Sequence, residues 1–551
     1  MGANAAIYFH PEGYDTSAPK LMGRHAAGEG FLRGFLRHAD VDRFFCLSRT
    51  QALAQPFADN VARLAPGKPV IWIPAEAPEQ IAAAGCIYTP GPGLAEEAFR
   101  RRASGQRAYS ICGVTHTTAS FTALDSIADM LTAPVQPWDA LICTSRVVLD
   151  TVRRLLDDQA DYLADRLGAT RFPTPLLPVI PLGVDCGALA PDAAARASWR
   201  ERLGIAAEDV AVLFMGRLSF HAKAHPIPMY QALERAARST GRRIHLIQSG
   251  WFANEFIEAA FKNEAANHAP GVVHHWLDGR KPDVRGGIWS AVDVFVSLSD
   301  NIQETFGLTP IEAMAAGLPV VVSDWDGYKD TVRDGVDGFR IPTLMAGEGL
   351  GADLMRRHEL DIDTYDVYCG RTSQFVAIDV AACAAAFERL ILDPGLRASM
   401  GAAGRARALE RYDWRVVIGQ YQALWAEQER IRAAGAESAP RKPGRPGRPA
   451  RPDPYRSFAT YPTRTLDLGT LFVARPGAGA AEVTALLNSP MVQYLNASLP
   501  APDELAALLA AASVPLRVET LLAAFPEQRR GHLARGLVWL AKFDLGAFPT
   551  A

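Results

Sequence analysis

Short runs of β-branched and apolar residues recur along this sequence, and helix-length segments separate most of them. Such alternation predicts parallel sheets covered by helices. The runs form two series. The first comprises residues 5–9, 44–47, 70–73, 109–114, 141–143 and 179–182, and the second comprises residues 210–215, 244–248, 272–276, 294–298 and 319–322. The sequence therefore predicts two α/β domains of similar size.

The domain boundaries follow from length and composition. A chain of 551 residues exceeds what one hydrophobic core usually serves. A proline-rich stretch near Asp185 separates the two series, and residues 376–432 have the spacing of helices that close the second domain. Residues 441–456 hold six basic residues and five prolines, which predicts an extended linker. We expect domains at 1–185 and 186–435, a linker at 436–456 and a small, mostly helical appendage at 457–551.

Charge and cysteine content exclude several classes of protein. A net charge of −3 is too small to steer the whole molecule towards nucleic acid or an anionic membrane. The seven cysteines are scattered and never form C-x-x-C, which argues against a disulfide framework and a zinc site. The sequence shows no export or acylation signal and no apolar stretch long enough to span a bilayer. We therefore expect a cytoplasmic protein.

Two glutamates lie at the predicted junction between a strand and a helix. Glu304 and Glu312 are separated by seven residues, and Gly307 between them would let the backbone approach a ligand closely. A helix beginning at Thr309 would point its first amides at an anion. A loop carboxylate can accept hydrogen bonds from sugar hydroxyls, and one in the first helical turn can reach a ribose. Glu312 has a structural alternative, because Thr309 and Glu312 also fit a capping box.

Two cations follow the first strand of the second series. Gly216 is followed by Arg217 and, six residues later, Lys223, a pair suited to a diphosphate. The alternative is a pair of ordinary surface cations. His221 and His225 share this loop, but no nearby carboxylate completes a metal ligand set, so we interpret them as incidental.

The first domain offers weaker candidates. His116 follows the strand at 109–114, and the carboxyl ends of parallel strands present ligand groups, although a lone histidine is often structural. Gly28 and Gly30 precede a predicted amphipathic helix and indicate a glycine-rich loop. That helix also carries basic residues, among them Arg37, which could contact an anionic membrane or form a solvated face.

The basic linker has a nucleic-acid interpretation that we do not favour. Its GRPGRP repeats are similar to the core that AT-rich minor grooves accept, with Arg445 and Arg448 as the inserted side chains. Short basic tracts rich in proline and glycine are more often spacers. We therefore expect no nucleic-acid partner.

The run from Glu304 onwards resembles the Glu-x7-Glu signature of the fourth family of glycosyltransferases, and FGLTPIEAMAAGLPVV matches that family nearly throughout. Arg217 and Lys223 also have the family's separation. The resemblance covers roughly residues 5–432 and implies a GT-B fold, in which two Rossmann-like domains face each other across a cleft. It further implies transfer of a hexose, with retained anomeric configuration, from a nucleotide diphosphate sugar to a hydroxyl acceptor on a glycan, a lipid or another molecule.

The resemblance assigns roles residue by residue. Glu304 would hold the donor sugar, Glu312 the ribose and His116 the sugar from the opposite domain, while the two cations and the helix amides would stabilise the leaving diphosphate without a metal or other cofactor. A UDP-sugar is the favoured donor, with a GDP-sugar as the second choice. The implied catalytic residues are Glu304, His116, Arg217 and Lys223, and the implied donor-binding residues are Glu312, Gly307, Leu308, Thr309, Gly28, Gly30 and Gly216.

Two departures from the family leave the donor sugar open. Relatives commonly place a Gly-Gly pair where this chain has residues 323–328, and the insertion at 345–369 is long for the family. Two alternatives to a transferase also stay open. One is a sugar-nucleotide 2-epimerase of the same fold, and the other is a non-catalytic scaffold that binds sugar or DNA.

Overall fold

The computed structural model describes residues 2–14, 23–494 and 496–549. The chain divides into two compact units, Met1–Arg448 and Pro449–Ala551, so the division falls inside the predicted linker. Residues just beyond 435 pack on the first unit, where the Gln136 amide exchanges hydrogen bonds of 2.8 and 3.0 Å with the backbone of Ser438. The first unit therefore extends past the predicted domain end at residue 435.

The first sheet has six parallel strands. They are β1 (Ala6–Tyr8), β2 (Phe44–Ser48), β3 (Val70–Pro74), β4 (Cys86–Tyr88), β5 (Ser110–Val114) and β6 (Ala140–Ile142). The helices around them are α1 (Pro11–Tyr14), α2 (Gly23–His38), α3 (Gln51–Leu64), α4 (Leu94–Ser104), α5 (Phe121–Ala128) and α6 (Arg146–Leu167). The strand order β3-β2-β1-β4-β5-β6 is that of a Rossmann fold.

The second sheet repeats this arrangement. Its strands are β7 (Val210–Met215), β8 (Ile244–Gly250), β9 (Val273–Asp278), β10 (Val294–Ser297), β11 (Val320–Ser323) and β12 (Gly338–Ile341), and a separate antiparallel pair follows as β13 (Thr343–Met345) and β14 (Val376–Ile378). The helices are α7 (Ala193–Leu203), α8 (Pro226–Thr240), α9 (Glu255–His268), α10 (Pro282–Ala291), α11 (Leu308–Ala315), α12 (Tyr328–Thr331), α13 (Ala352–Glu359), α14 (Tyr365–Ser373), α15 (Val380–Leu392), α16 (Pro394–Arg407) and α17 (Trp414–Ala434). The order β12-β11-β10-β7-β8-β9 places the point where the strand order reverses between β7 and β10. In sheets of this kind, ligands bind at that point, outside the carboxyl ends of the strands.

The structure corrects two details of the predicted strands. The predicted strand at 179–182 is wrong, because Val179 makes only an isolated bridge to Cys143. Strands β4 and β12 are absent from the prediction.

Helix α17 packs on the first domain, which corrects the expectation that it closes the second. Its apolar stripe, which includes Trp414 and Trp425, joins the core formed by Phe31 and Phe35 of α2. The fit is close, because a Cβ on Gly34 would lie only 2.7 Å from the Trp414 ring. The last helix of the first unit therefore ties the chain's second half to its first domain.

The second unit is a small module with its own core. Its helices are α18 (Pro454–Ser457), α19 (Ala480–Leu487), α20 (Pro490–Gln493), α21 (Pro502–Ala511), α22 (Val518–Ala523) and α23 (Glu527–Lys542). The module also contains an antiparallel sheet of β15 (Leu471–Ala474), β16 (Leu516–Arg517) and β17 (Gly546–Ala547), which the prediction of a mostly helical appendage did not contain. None of the described helices in either unit combines the length and the apolar character that a membrane span requires.

Candidate active site

The predicted acid and one predicted cation form an ion pair in the second domain. The Nζ atom of Lys223, in the loop after β7, lies 3.1 Å from Oε2 of Glu304, in the loop between β10 and α11. Burial acts to raise the pKa of Glu304, but the Lys223 ammonium and the N–H groups of Thr305 and Phe306 outweigh burial and hold the pKa below its ordinary value. Glu304 is therefore ionised at neutral pH.

The second predicted cation contacts the same loop. Arg217 is half-buried, and its Nη2 donates to the side-chain oxygen of Gln303 at 3.3 Å and to the carbonyl of Ala222 at 3.4 Å. Gly216, which precedes Arg217, directly follows strand β7 and donates its N–H to the carbonyl of Ser249 at 3.0 Å. The structure thus brings Arg217, Lys223 and Glu304 together at the carboxyl edge of the sheet.

Helix α11 begins one residue earlier than the sequence predicts. Gly307 is its N-cap with a φ of 80°, and a Cβ there would overlap the ring of Tyr328, so only glycine fits. Leu308 and Thr309 are the first two helical residues, and among the described residues no side chain caps this end. The first amides of α11 therefore lack capping partners from side chains and suit an anion.

The capping-box interpretation of Glu312 is wrong. Glu312 is the fifth residue of α11, and Gly307, not Thr309, is the N-cap. Within the described part of the chain, Glu312 makes no hydrogen bond or ion pair. Burial raises its pKa to about 7, against a small opposing effect of Arg285. A half-buried carboxyl without a partner among the described residues suits the binding of hydroxyl groups.

His116 lies beside the Glu304 loop, as its position after β5 predicts. The hydroxyl of Thr305 donates to the His116 carbonyl at 3.2 Å, and the Thr305 carbonyl accepts from the Ser145 hydroxyl at 3.0 Å. The Ser145 hydroxyl also caps α6 by accepting from the N–H of Val148. The first domain thus reaches the residue next to Glu304 from two loops.

The prediction of a glycine-rich loop at Gly28 and Gly30 is wrong. Gly28 and Gly30 lie inside α2, and residues 15–22 before it lie outside the described residues. A Cβ on Gly28 would overlap the carbonyl of Gly13, and one on Gly30 would lie 3.0 Å from the Trp414 ring. Both glycines therefore serve helix packing. The basic face of α2 is partly neutralised, since Arg37 pairs with Asp185 at 2.7 Å.

The inserted helices α13 and α14 contact the site, which the sequence reading missed. The hydroxyl of Tyr365 lies 3.3 Å from that of Thr117, next to His116, and is close enough to Gln303, the partner of Arg217, for that side chain to act on its pKa. Only the length of the insertion drew attention to this segment in the sequence. Tyr365 connects the first domain to the residue that holds Arg217.

Aromatic stacking fixes the inserted helices against the first domain. The ring of His358 lies between Phe121, at a centroid distance of 4.1 Å, and Tyr368, at 4.9 Å. A Cβ on Gly370 would lie 2.9 Å from that of His221, so α14 also packs tightly on the loop that carries Lys223. The described residues contain no group of three or more His, Cys, Asp or Glu side chains arranged to hold a metal ion.

Part of this chain is similar to a described protein family. Residues 195–346 match the family described as glycosyl transferases group 1. The D-inositol 3-phosphate glycosyltransferase of Geodermatophilus obscurus is 30% identical over 41% of this chain and 50% of its own length. The GDP-mannose-dependent alpha-(1-6)-phosphatidylinositol monomannoside mannosyltransferase of Mycolicibacterium smegmatis is 25% identical over 52% of this chain and 68% of its own length. The chain spans about half the length of the first curated relatives that it matches.

Among solved structures, Anabaena Alr3699/HepE in complex with UDP superposes on 77% of this chain and 100% of its own, with a TM-score of 0.50 and 15% identity. The two Rossmann-like domains have the GT-B fold, as predicted. Over residues 195–346, the resemblance to the family of group 1 glycosyl transferases is confirmed.

Proposed function

We propose that this protein transfers a hexose from a nucleotide diphosphate sugar to a hydroxyl acceptor, with retention of the anomeric configuration. The observation that carries the proposal is the ion pair of Lys223 and Glu304 beside Arg217 and the start of α11. Two cations and the helix amides suit a diphosphate, while the carboxylates at 304 and 312 suit the hydroxyls of a sugar and a ribose. The groups that suit the diphosphate and the groups that suit the hydroxyls thus lie at the same edge of the sheet.

In the proposed reaction, the bond between the anomeric carbon and the diphosphate oxygen breaks as the acceptor oxygen bonds to the same face of that carbon. The acceptor proton passes to the departing diphosphate, whose charge Arg217, Lys223 and the α11 amides stabilise. Glu304 and His116 hold the sugar from the two domains, and Glu312 holds the ribose. Leu308 and Thr309 supply backbone N–H groups, and no metal or cofactor takes part.

The donor base and the acceptor belong to the proposal. We favour a UDP-sugar, with GDP-sugars as the second class, since one relative is named as GDP-mannose-dependent. The relatives' names indicate inositol-bearing acceptors, so a polyol or an inositol lipid is the class that we would test first. A lipid acceptor would require contact with a membrane surface from a protein that works in the cytoplasm. No nucleic-acid partner is proposed.

A donor screen tests this function. Purified protein is incubated with UDP- and GDP-sugars, and thermal stabilisation is measured, because a ligand that binds the folded state raises the apparent stability. We expect one donor and its nucleoside diphosphate to stabilise the wild type, and Arg217→Ala to weaken both. Stabilisation by none of them would contradict the proposal. An epimerase would convert the sugar of the donor without releasing a stoichiometric amount of nucleoside diphosphate.

A further inference from the structure

One residue of the loop after β11, Asp326, combines an unfavourable backbone conformation with an unsatisfied polar atom. Asp326 has a φ of 46°, a conformation that residues with a Cβ rarely adopt. Its Oδ2 atom is buried and has no hydrogen-bond partner within the described residues.

The loop of Asp326 interlocks with the loop of Glu304. A Cβ on Gly327 would overlap the backbone of Phe306, and the indole N–H of Trp325 donates to the carbonyl of Asn301 at 3.1 Å. Burial raises the pKa of Asp326 well above its ordinary value, and the charge of Glu304 raises it further. The carboxyl of Asp326 therefore lies in the electrostatic reach of the residue proposed to hold the donor sugar.

Local structure does not explain the choice of aspartate. The N–H of Gly327 is a hydrogen-bond donor to the carboxyl, but the buried Oδ2 gains nothing from it. Glycine would relieve the left-handed backbone and remove the unpartnered oxygen. Residues that are both strained and unsatisfied concentrate at functional sites, where a ligand supplies the missing contact.

We infer that Asp326 is a donor-sugar contact whose buried oxygen hydrogen-bonds a hydroxyl of the transferred hexose, and that it sets which hexose is accepted. This inference rests on the proposed function. A hydroxyl both donates and accepts, so it satisfies the carboxyl in either protonation state. A donor lacking that hydroxyl, or bearing it in the other configuration, leaves the oxygen unpaired and binds more weakly.

The test measures separately how much the sugar and the nucleotide contribute to the affinity for the donor. Titration calorimetry gives the Kd of the nucleoside diphosphate and of each nucleotide sugar, and their ratio reports the sugar contacts. We expect Asp326→Gly to change this ratio at least about tenfold for the preferred hexose, with the Kd of the nucleoside diphosphate kept within about twofold. Its thermal midpoint should equal or exceed that of the wild type.

Two variants control the experiment. Asp361→Gly removes another aspartate with a positive φ, 55°, from an exposed turn of the insertion, and it should leave the ratio unchanged. Asp326→Asn keeps a side chain that tolerates this backbone and can still bond a hydroxyl, so its ratio should fall between wild type and Asp326→Gly. It also gives a reading if the glycine variant does not fold.

The outcomes distinguish this inference from the proposed function. If the wild type binds a nucleotide sugar and Asp326→Gly binds it with the same ratio, the inference alone is overturned. Equal losses of nucleoside diphosphate and nucleotide sugar in both variants at position 326 would also overturn it, because the residue would then support the loop only. A wild type that binds no nucleotide would overturn the proposed function and this inference with it.

Discussion

The ammonium of Lys223 lies 3.1 Å from the carboxylate of Glu304, so one ion pair joins the residue proposed for the diphosphate to the residue proposed for the sugar. The side chain of Lys223 is 34% exposed and that of Glu304 is 14% exposed. In the proposed complex, the donor lies between Lys223 and Glu304 and gives each of these side chains a second partner. The pair also keeps Glu304 ionised, because it offsets the desolvation of the carboxylate.

Replacing Glu304 tests its contact with the sugar. Glu304→Ala should fold and should lower turnover by roughly 10²-fold or more, about 3 kcal/mol on the barrier. Glu258→Ala breaks an exposed ion pair with Lys262 on α9 and serves as the control, with turnover unchanged. Steady-state rates of both variants decide the matter. Near-normal turnover in a folded Glu304→Ala would remove this residue from the site.

Glu312 should cost stability in a pH-dependent manner. Burial raises the pKa of Glu312 to about 7. The protein is therefore most stable below the unfolded pKa, where the carboxyl is protonated in both states, and it loses stability as pH rises through 7. Glu312→Gln should therefore raise the thermal midpoint at pH 8, by a free energy on the order of 1–3 kcal/mol, and change it little near pH 5. The same variant should weaken donor binding. A lower midpoint at both pH values would contradict this view, because the carboxyl would then stabilise the fold.

Tyr365 should position Arg217 through Gln303. Tyr365→Phe removes the hydroxyl that joins Thr117 to this pair and should lower kcat/KM for the donor by about 2- to 10-fold. Tyr368→Phe is a matched control, because that ring stacks on His358 while its hydroxyl has no hydrogen bond in the described residues. Equal effects of the two substitutions would argue against the positioning role.

Activity should survive removal of divalent metals. Arg217, Lys223 and the first amides of α11 supply positive charge for the diphosphate, so no Mg²⁺ or Mn²⁺ is expected to be needed. Rates are compared before and after treatment with EDTA. Loss of activity that added Mg²⁺ or Mn²⁺ restores would refute this view of the leaving-group site.

The second unit should be separable from donor binding. A chain ending at Arg448 keeps every residue of the first unit and should bind the donor like the full chain. A chain ending at Gly435 loses the hydrogen bonds between Gln136 and Ser438 and should be less stable by about 1–2 kcal/mol. Calorimetry and thermal unfolding of both measure this. Failure of the folded 1–448 chain to bind the donor would show that the appendage completes the cleft.

The sequence predicted those parts of the fold that rest on local pattern. The apolar runs marked most strands of both sheets, and the spacing of Arg217, Lys223 and Glu304 anticipated their meeting at one sheet edge. The sequence did not show which elements pack against each other. The apolar stripe of α17 indicates burial, but only the structure shows that Trp414 packs against α2 of the first domain.

The errors at the site have the same origin. Thr309 and Glu312 fit a capping pattern, yet the N-cap is Gly307, where the ring of Tyr328 leaves no room for a side chain. Gly28 and Gly30 suggested a loop because glycine is permissive, whereas Gly13 and Trp414 press on them within a helix. Long-range contacts of this kind override local propensity and leave no signal in spacing.

The most direct test of the proposed hexose transfer follows both products of one reaction by NMR. The wild type is mixed with the nucleotide sugar that stabilises it and with an inositol or polyol acceptor. We predict equal amounts of nucleoside diphosphate and of a new glycoside whose anomeric configuration is that of the donor, with the rate reduced roughly 10²-fold in Glu304→Ala. No nucleoside diphosphate from a donor that binds, or an epimerised nucleotide sugar as the product, would contradict it.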